Sequence, residues 1–101
     1  MSRYRLARQA KADLDEIWSY VARHSGPQLA DRLLTSLADR FLMLCDTPLA
    51  GRVCAEFGPD LRRFSCGEYL IYYRRVRGRT LIVRVIHGAR DQKSAWITPP
   101  S

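Results

Sequence analysis

The residues best suited to chemistry lie in one stretch, LRRFSCGEYLIYYRRVRGRTLIVRVIHGARD, from Leu61 to Asp91. Arginines alternate there with tyrosines and aliphatic residues. A guanidinium is a planar fork that matches phosphate or carboxylate, and a tyrosine offers a stacking plane with a polar tip. In a strand, successive side chains point to opposite faces. Alternation therefore places Leu70, Tyr72 and Arg74 on one face of a central strand, with Ile82, Arg84 and Ile86 beside them on the next. Arg63 joins from the preceding strand and Arg90 from just beyond the last. The arginine-bearing set is assigned to the outer face. Tyr69, Ile71, Tyr73, Leu81, Val83 and Val85 are assigned inward.

Such a face suits phosphate binding. Cutting RNA without a metal would also need a base for the 2′-hydroxyl and an acid for the leaving oxygen. A base is hard to find. His87 falls on the inward parity, and His24 sits at a helix end, where it complements the dipole. Tyr72 would need a pKa far below about 10. Asp13, Asp15 and Glu16 read as a solvated helix face. Asp60, Glu68 and Asp91 are scattered, with no DxD or HExxH pattern to gather a metal. Ser65 and Ser94 have no nucleophile context, and no GxxxxGK[ST] phosphate loop is present. The three cysteines, Cys45, Cys54 and Cys66, form no CxxC pair and read as reduced structural thiols. No cofactor, metal or catalytic residue is expected.

The positioning elements follow from hydrophobic spacing. Arg3–Leu6 is a short β-like lead-in that pairs with the edge of a later sheet. Ala10, Leu14, Ile17, Trp18 and Val21 recur at helical spacing and predict a helix from about Arg8 to His24. Ser25-Gly26-Pro27 breaks it, with Gly26 suited to a helix end and Pro27 to a helix start. Ala30, Leu33, Leu34, Leu37, Phe41 and Leu44 predict a second helix from about Pro27 to Cys45, so the pair forms an antiparallel hairpin. Leu49–Asp60 is a loop. Three antiparallel strands follow over Leu61–Cys66, Glu68–Val76 and Thr80–His87, joined by tight turns. In the tail, Trp96 covers part of the sheet or core ahead of Pro99-Pro100. The expected class is α+β, in the order β-α-α-β-β-β, with the hairpin packed on a small, mainly antiparallel sheet.

The chain of 101 residues is expected to be one domain, residues 1–101. With 47% hydrophobic and 27% charged residues, its composition is that of a folded protein. A net charge of +7 suits an acidic partner, either nucleic acid or an acidic protein. No apolar run approaches the roughly 20 residues of a membrane span, and no apolar signal core follows the basic N-terminus. A cytoplasmic location is the expectation.

Four segments carry a family resemblance. They are AKADLDEIWSYVARHSG from Ala10, TPLAGR from Thr47, GPDLRRFSCGEYLIYYRRV from Gly58 and VRVIHGARD from Val83. In this order the chain resembles the RelE/ParE superfamily of bacterial toxins from type II toxin–antitoxin systems, and within it the ParE (plasmid-stabilisation) branch. The resemblance implies a small toxin neutralised by an acidic, ParD-like antitoxin. It implies DNA gyrase as the target, trapped by binding rather than by catalysis, and operator DNA reached only through the antitoxin. The RelE branch instead cuts mRNA on the ribosome. Its members carry an arginine after the tyrosine that opens the middle strand, where this chain has Leu70 after Tyr69. Arg63 stands nearest their preceding-strand lysine, keeping the charge but not the residue type; Arg90 matches their late arginine, and their final tyrosine falls near Trp96, which has no ionisable hydroxyl. Target-binding candidates are Arg63, Tyr72, Arg74, Arg84, Arg90 and Trp96. Antitoxin-binding candidates are Trp18, Leu33, Leu37 and Arg62. A RelE-type endonuclease and a non-toxic degenerate member remain the alternatives.

Overall fold

The computed structural model describes residues 3–89. Strand β1 (Tyr4–Leu6) leads into helix α1 (Arg8–Ser25), and α2 (Pro27–Asp46) returns antiparallel to it. Gly26 makes the reversal possible. Its φ of 98° and ψ of 153° lie in a region essentially reserved for glycine, and Pro27 then opens α2. The expected loop holds two small elements, strand β2 (Arg52–Val53) and a 3-10 turn at Ala55–Phe57. Strands β3 (Arg62–Cys66), β4 (Tyr69–Val76) and β5 (Arg79–His87) complete the chain.

The five strands form one sheet in the order β1-β5-β4-β3-β2. All neighbours are antiparallel except β1 and β5, which run parallel because α1 and α2 intervene. The helical hairpin covers one face. Ala10, Leu37, Phe41 and Leu44 meet Ile71, Tyr73, Ile82 and Val85 there. These are the helical stripes and the inward side chains of β4, as their periodicities require. The α+β class and element order match expectation.

The opposite face is not open. Cys54, Leu61, Tyr72 and Ile86 form a second buried cluster, with Phe57, Leu70 and Val83 against it. The loop between β2 and β3 folds over the sheet to make it. Alternation also breaks on β5. Tyr73 pairs with Ile82 and Tyr72 with Arg84, so Val83 is an extra residue in a β-bulge. Ile82, expected outward, therefore joins the helix-side core, and Val83, expected inward, joins the opposite cluster. Parity counted from one end of β5 fails at the other for this reason.

Candidate functional site

The bulge and the covering loop reassign the nominated arginine face. Tyr72 has 0% exposure. Its ring meets Phe57 edge-on at 5.9 Å, beneath the 3-10 turn. A surface docking role does not fit it. Arg84 is also withdrawn from solvent. Its Nε and Nη2 donate to the Asp13 carboxylate of α1 at 2.8 and 3.1 Å. The side chains are 14% and 5% exposed. Strand β1 ends at Leu6, opposite Ile82, so no strand continues along that side of β5. The Val85 N–H fills the gap by donating to Asp13 at 2.9 Å. Asp13 is thus a three-bond buried acceptor rather than part of a solvated face. Its signal was in the sequence: it lies three residues after Ala10 and four before Ile17, inside the apolar stripe. Asp15 and Glu16 are exposed as expected.

Other candidates are spread over the surface. Arg63 is half-buried on β3, between Arg52 and Tyr72 in register. Arg74 is exposed at the far end of β4. Arg62 is half-buried, and its Nη1 donates to the Gly51 carbonyl at 2.7 Å. Arg90 and Trp96 lie outside the described residues. On the hairpin, Trp18 is half-buried and its indole N–H donates to Asp31 at 2.8 Å. Leu33 is half-buried, whereas Leu37 is fully buried in the core and presents nothing to a partner.

The TPLAGR segment has a structural reason for its form. Tyr73 crosses beneath it, donating its hydroxyl to the Pro48 carbonyl and accepting the Gly51 N–H, both at 2.8 Å. A Cβ on Gly51 would sit 2.6 Å from that hydroxyl oxygen and 2.8 Å from the Arg63 carbonyl, so only glycine fits. Burial pushes the Tyr73 phenol up, partly offset by the Gly51 hydrogen bond and the nearby Arg62 charge.

Two connected depressions were not anticipated. One, of about 460 Å³, lies between α1 and the sheet and is lined by Glu16, Ile17, Tyr20, Arg23, Tyr69 and His87, with Asp13 and Val85. The other is a broader groove of about 860 Å³ over the helical hairpin. It is bounded by Tyr20, Leu29, Arg32, Leu33, Arg40 and the β3–β4 turn. Tyr20 and Leu29 are large apolar side chains that stand 57% and 44% exposed at its rim. At the sheet-side rim, the Ala89 N–H donates to His87 Nδ1, which leaves Nε2 to donate to the exposed Glu68 carboxylate at 3.0 Å. Tyr69 packs edge-on against His87. Burial, then the neighbouring Glu68 and Tyr20, push the Tyr69 phenol up and away from the range of a useful base. Among the described residues, no three His, Cys, Asp or Glu side chains could hold a metal ion together, and the cysteines are free thiols.

The family pattern described as the ParE toxin of the type II toxin–antitoxin system, parDE, matches residues 4–92. The chain belongs to the ParE toxin family. Toxin ParE1 of Caulobacter vibrioides is 33% identical over 94 residues, 93% of this chain and 97% of that one. Toxin ParE1 of Mycobacterium tuberculosis is 34% identical over 91 residues, covering 89% and 93%. A solved chain from the chromosomal ParDE system of P. aeruginosa shares the fold. Its TM-score is 0.71 at 22% identity, with 85% of this chain and 98% of that one covered. The ParE match accounts for the β-α-α-β-β-β order. Among the described residues of this ParE-family chain, no helix is long and apolar enough to cross a membrane.

Proposed function

We propose that this chain is a ParE toxin that acts by binding DNA gyrase in the cytoplasm and is silenced by an acidic, ParD-like antitoxin. The observation that carries the proposal is the ParE match over residues 4–92. Two features of the site support it. The groove beside Tyr20, Leu29 and Leu33 is apolar and flanked by Arg32 and Arg40, which suits an amphipathic acidic helix laid on the hairpin. Binding rather than catalysis is favoured by Leu70, half-buried against the second core where RelE-type nucleases present an arginine. Arg63 and Arg74 remain candidate contacts to gyrase, with Arg90 and Trp96 beyond the described residues. Arg62 and Trp18 fit better as framework for the surfaces near them.

The test is expression without antitoxin, followed by a supercoiling assay on purified gyrase with and without the chain. Growth arrest with inhibited supercoiling or stabilised cleavage complexes is expected, and added antitoxin should reverse both. Arrested translation with untouched gyrase would shift the assignment to RelE-type mRNA cleavage. Normal growth would indicate a degenerate member that only sequesters antitoxin.

A further inference from the structure

The connection between β4 and β5 projects beyond its sheet. The last β3–β4 pair is Arg62 with Tyr73, and the first β1–β5 pair is Tyr4 with Thr80. Arg74, Arg75 and Val76 therefore continue past β3, while on β5 only Arg79 lies beyond β1, so both neighbours are left behind at the Val76–Arg79 pair and the turn. At about 3.4 Å per residue the overhang on β4 is about 10 Å. Every residue from Arg74 to Arg79 is exposed. Four of these six are arginines, and no acidic residue occurs between Tyr69 and Arg90. The turn is held closed: Arg75 Nη2 donates to the Gly78 carbonyl at 2.7 Å. Arg77 and Gly78 both have positive φ, 53° and 77°. Asparagine or glycine is the low-cost residue at the Arg77 position, yet a long cation stands at the apex.

We propose that this arginine ribbon is a contact for the phosphate backbone of duplex DNA. A narrow, convex, cationic ribbon fits a groove with anionic rims. The major groove, about 12 Å wide, admits a two-stranded ribbon. Arginines on both strands and at the apex then meet phosphates on both sides, with fork geometry suited to each. Binding is indifferent to sequence, because Val76 and Gly78 are the only other side chains or backbone units offered to base edges. An acidic protein surface would attract the same charge, but stable protein interfaces centre on buried apolar or aromatic anchors. On the ribbon itself only Val76, 38% exposed, is apolar, while Leu49 and Val53 stand beside Arg74 and Arg75 around a neighbouring depression that Asp60 also lines. The contact is direct and does not depend on gyrase being the target.

The full chain should be titrated against a fluorescent duplex of arbitrary sequence, roughly 20 bp or two helical turns long. Anisotropy is read at salt concentrations from about 50 to 200 mM. Four phosphate contacts predict a log–log salt slope near about −3.6, equivalent to roughly a 150-fold loss of affinity across that range. Replacing Arg74, Arg75, Arg77 and Arg79 by Gln should remove most of the binding and of the slope. Replacing the exposed helical residues Arg8, Arg23, Arg32 and Arg40 by Gln removes the same formal charge and should leave most of both intact. Arg77→Gly, which suits the turn and preserves the fold, should reduce the slope by about 0.9. The proposal is overturned if the wild type does not bind at low salt, or if the two fourfold variants weaken binding equally. It is also overturned if poly-glutamate of equal charge competes as well as duplex, which would point to an acidic protein.

Discussion

Asp13 governs how α1 meets the sheet. One carboxylate satisfies Arg84 twice and the Val85 N–H once, at a place where β5 has no strand neighbour on its β1 side. Both charges are largely removed from water, so losing one partner costs more than the pair's net worth. Asp13→Ala is expected to lower unfolding free energy by about 3–5 kcal/mol, read from the urea midpoint at constant m. Asp13→Leu combined with Arg84→Met should recover much of that loss. A cost under about 1 kcal/mol for the single change would mean the pair behaves like a surface ion pair. Tyr73 makes a second prediction at this scale. Its folded pKa lies above the ordinary 10.0, chiefly through burial. The native state thus keeps the proton over a range where the unfolded chain releases it. The resulting stability is fully present below pH 10.0 and is lost as pH rises through the folded pKa. Tyr73→Phe should lower neutral-pH stability by about 1–3 kcal/mol, since the Gly51 N–H and Pro48 carbonyl lose their partner. The alkaline decline of stability should become shallower. An unchanged alkaline profile would assign that decline to Tyr4 or Tyr69, whose phenols are also raised by burial.

At the scale of elements, the helical hairpin depends on one backbone conformation. A Cβ at Gly26 would meet only Gln28 Oε1, at an ordinary 3.6 Å, so space is not the constraint. The φ of 98° is. Gly26→Ala should therefore destabilise by about 1–3 kcal/mol without creating a clash or moving either helix. Thermal unfolding checks the cost, and unchanged far-UV circular dichroism checks the geometry. A neutral effect would show that the α1–α2 turn relaxes into another conformation. The β5 bulge is the second decisive element. It lets Ile82 and Val85, three residues apart, face the same core, which strict alternation forbids. With it, Thr80 and Ile82 stay in register with the inward side of β4 near the ribbon, while Arg84 comes within reach of α1.

Across the described residues, the arginine ribbon and the hairpin groove lie at opposite ends of the sheet, with the Glu68–His87 pair at the groove end. The net charge of +7 should steer the proposed acidic antitoxin over distances longer than any contact. Its association rate is expected to fall roughly tenfold or more as ionic strength rises from about 0.01 to 0.1 M. Over that range the Debye length shortens from about 30 to 10 Å. Stopped-flow mixing measures this, and a flat salt profile would remove steering from the account. Leu29 in the groove should affect dissociation more than association, because a buried anchor acts after encounter.

The amino-acid sequence by itself determined the helical hairpin, the order of the strands and the ParE resemblance. Each rests on local signals: periodic apolar residues, Gly26-Pro27, and short turns that force antiparallel neighbours. It also placed Ile71 and Tyr73 against the helices, since β4 alternates without interruption on that side. Which residues are accessible was decided only by tertiary structure. Tyr72 is buried because the loop ahead of β3 folds over it, and Arg84 is paired because a bulge and a short β1 bring it to Asp13. Neither the bulge nor the covering loop has a period to read, because each is set by how two segments meet and not by the pattern within one. The arginine run from Arg74 to Arg79 was visible as letters; that it overhangs the sheet was set by where β1 and β3 stop.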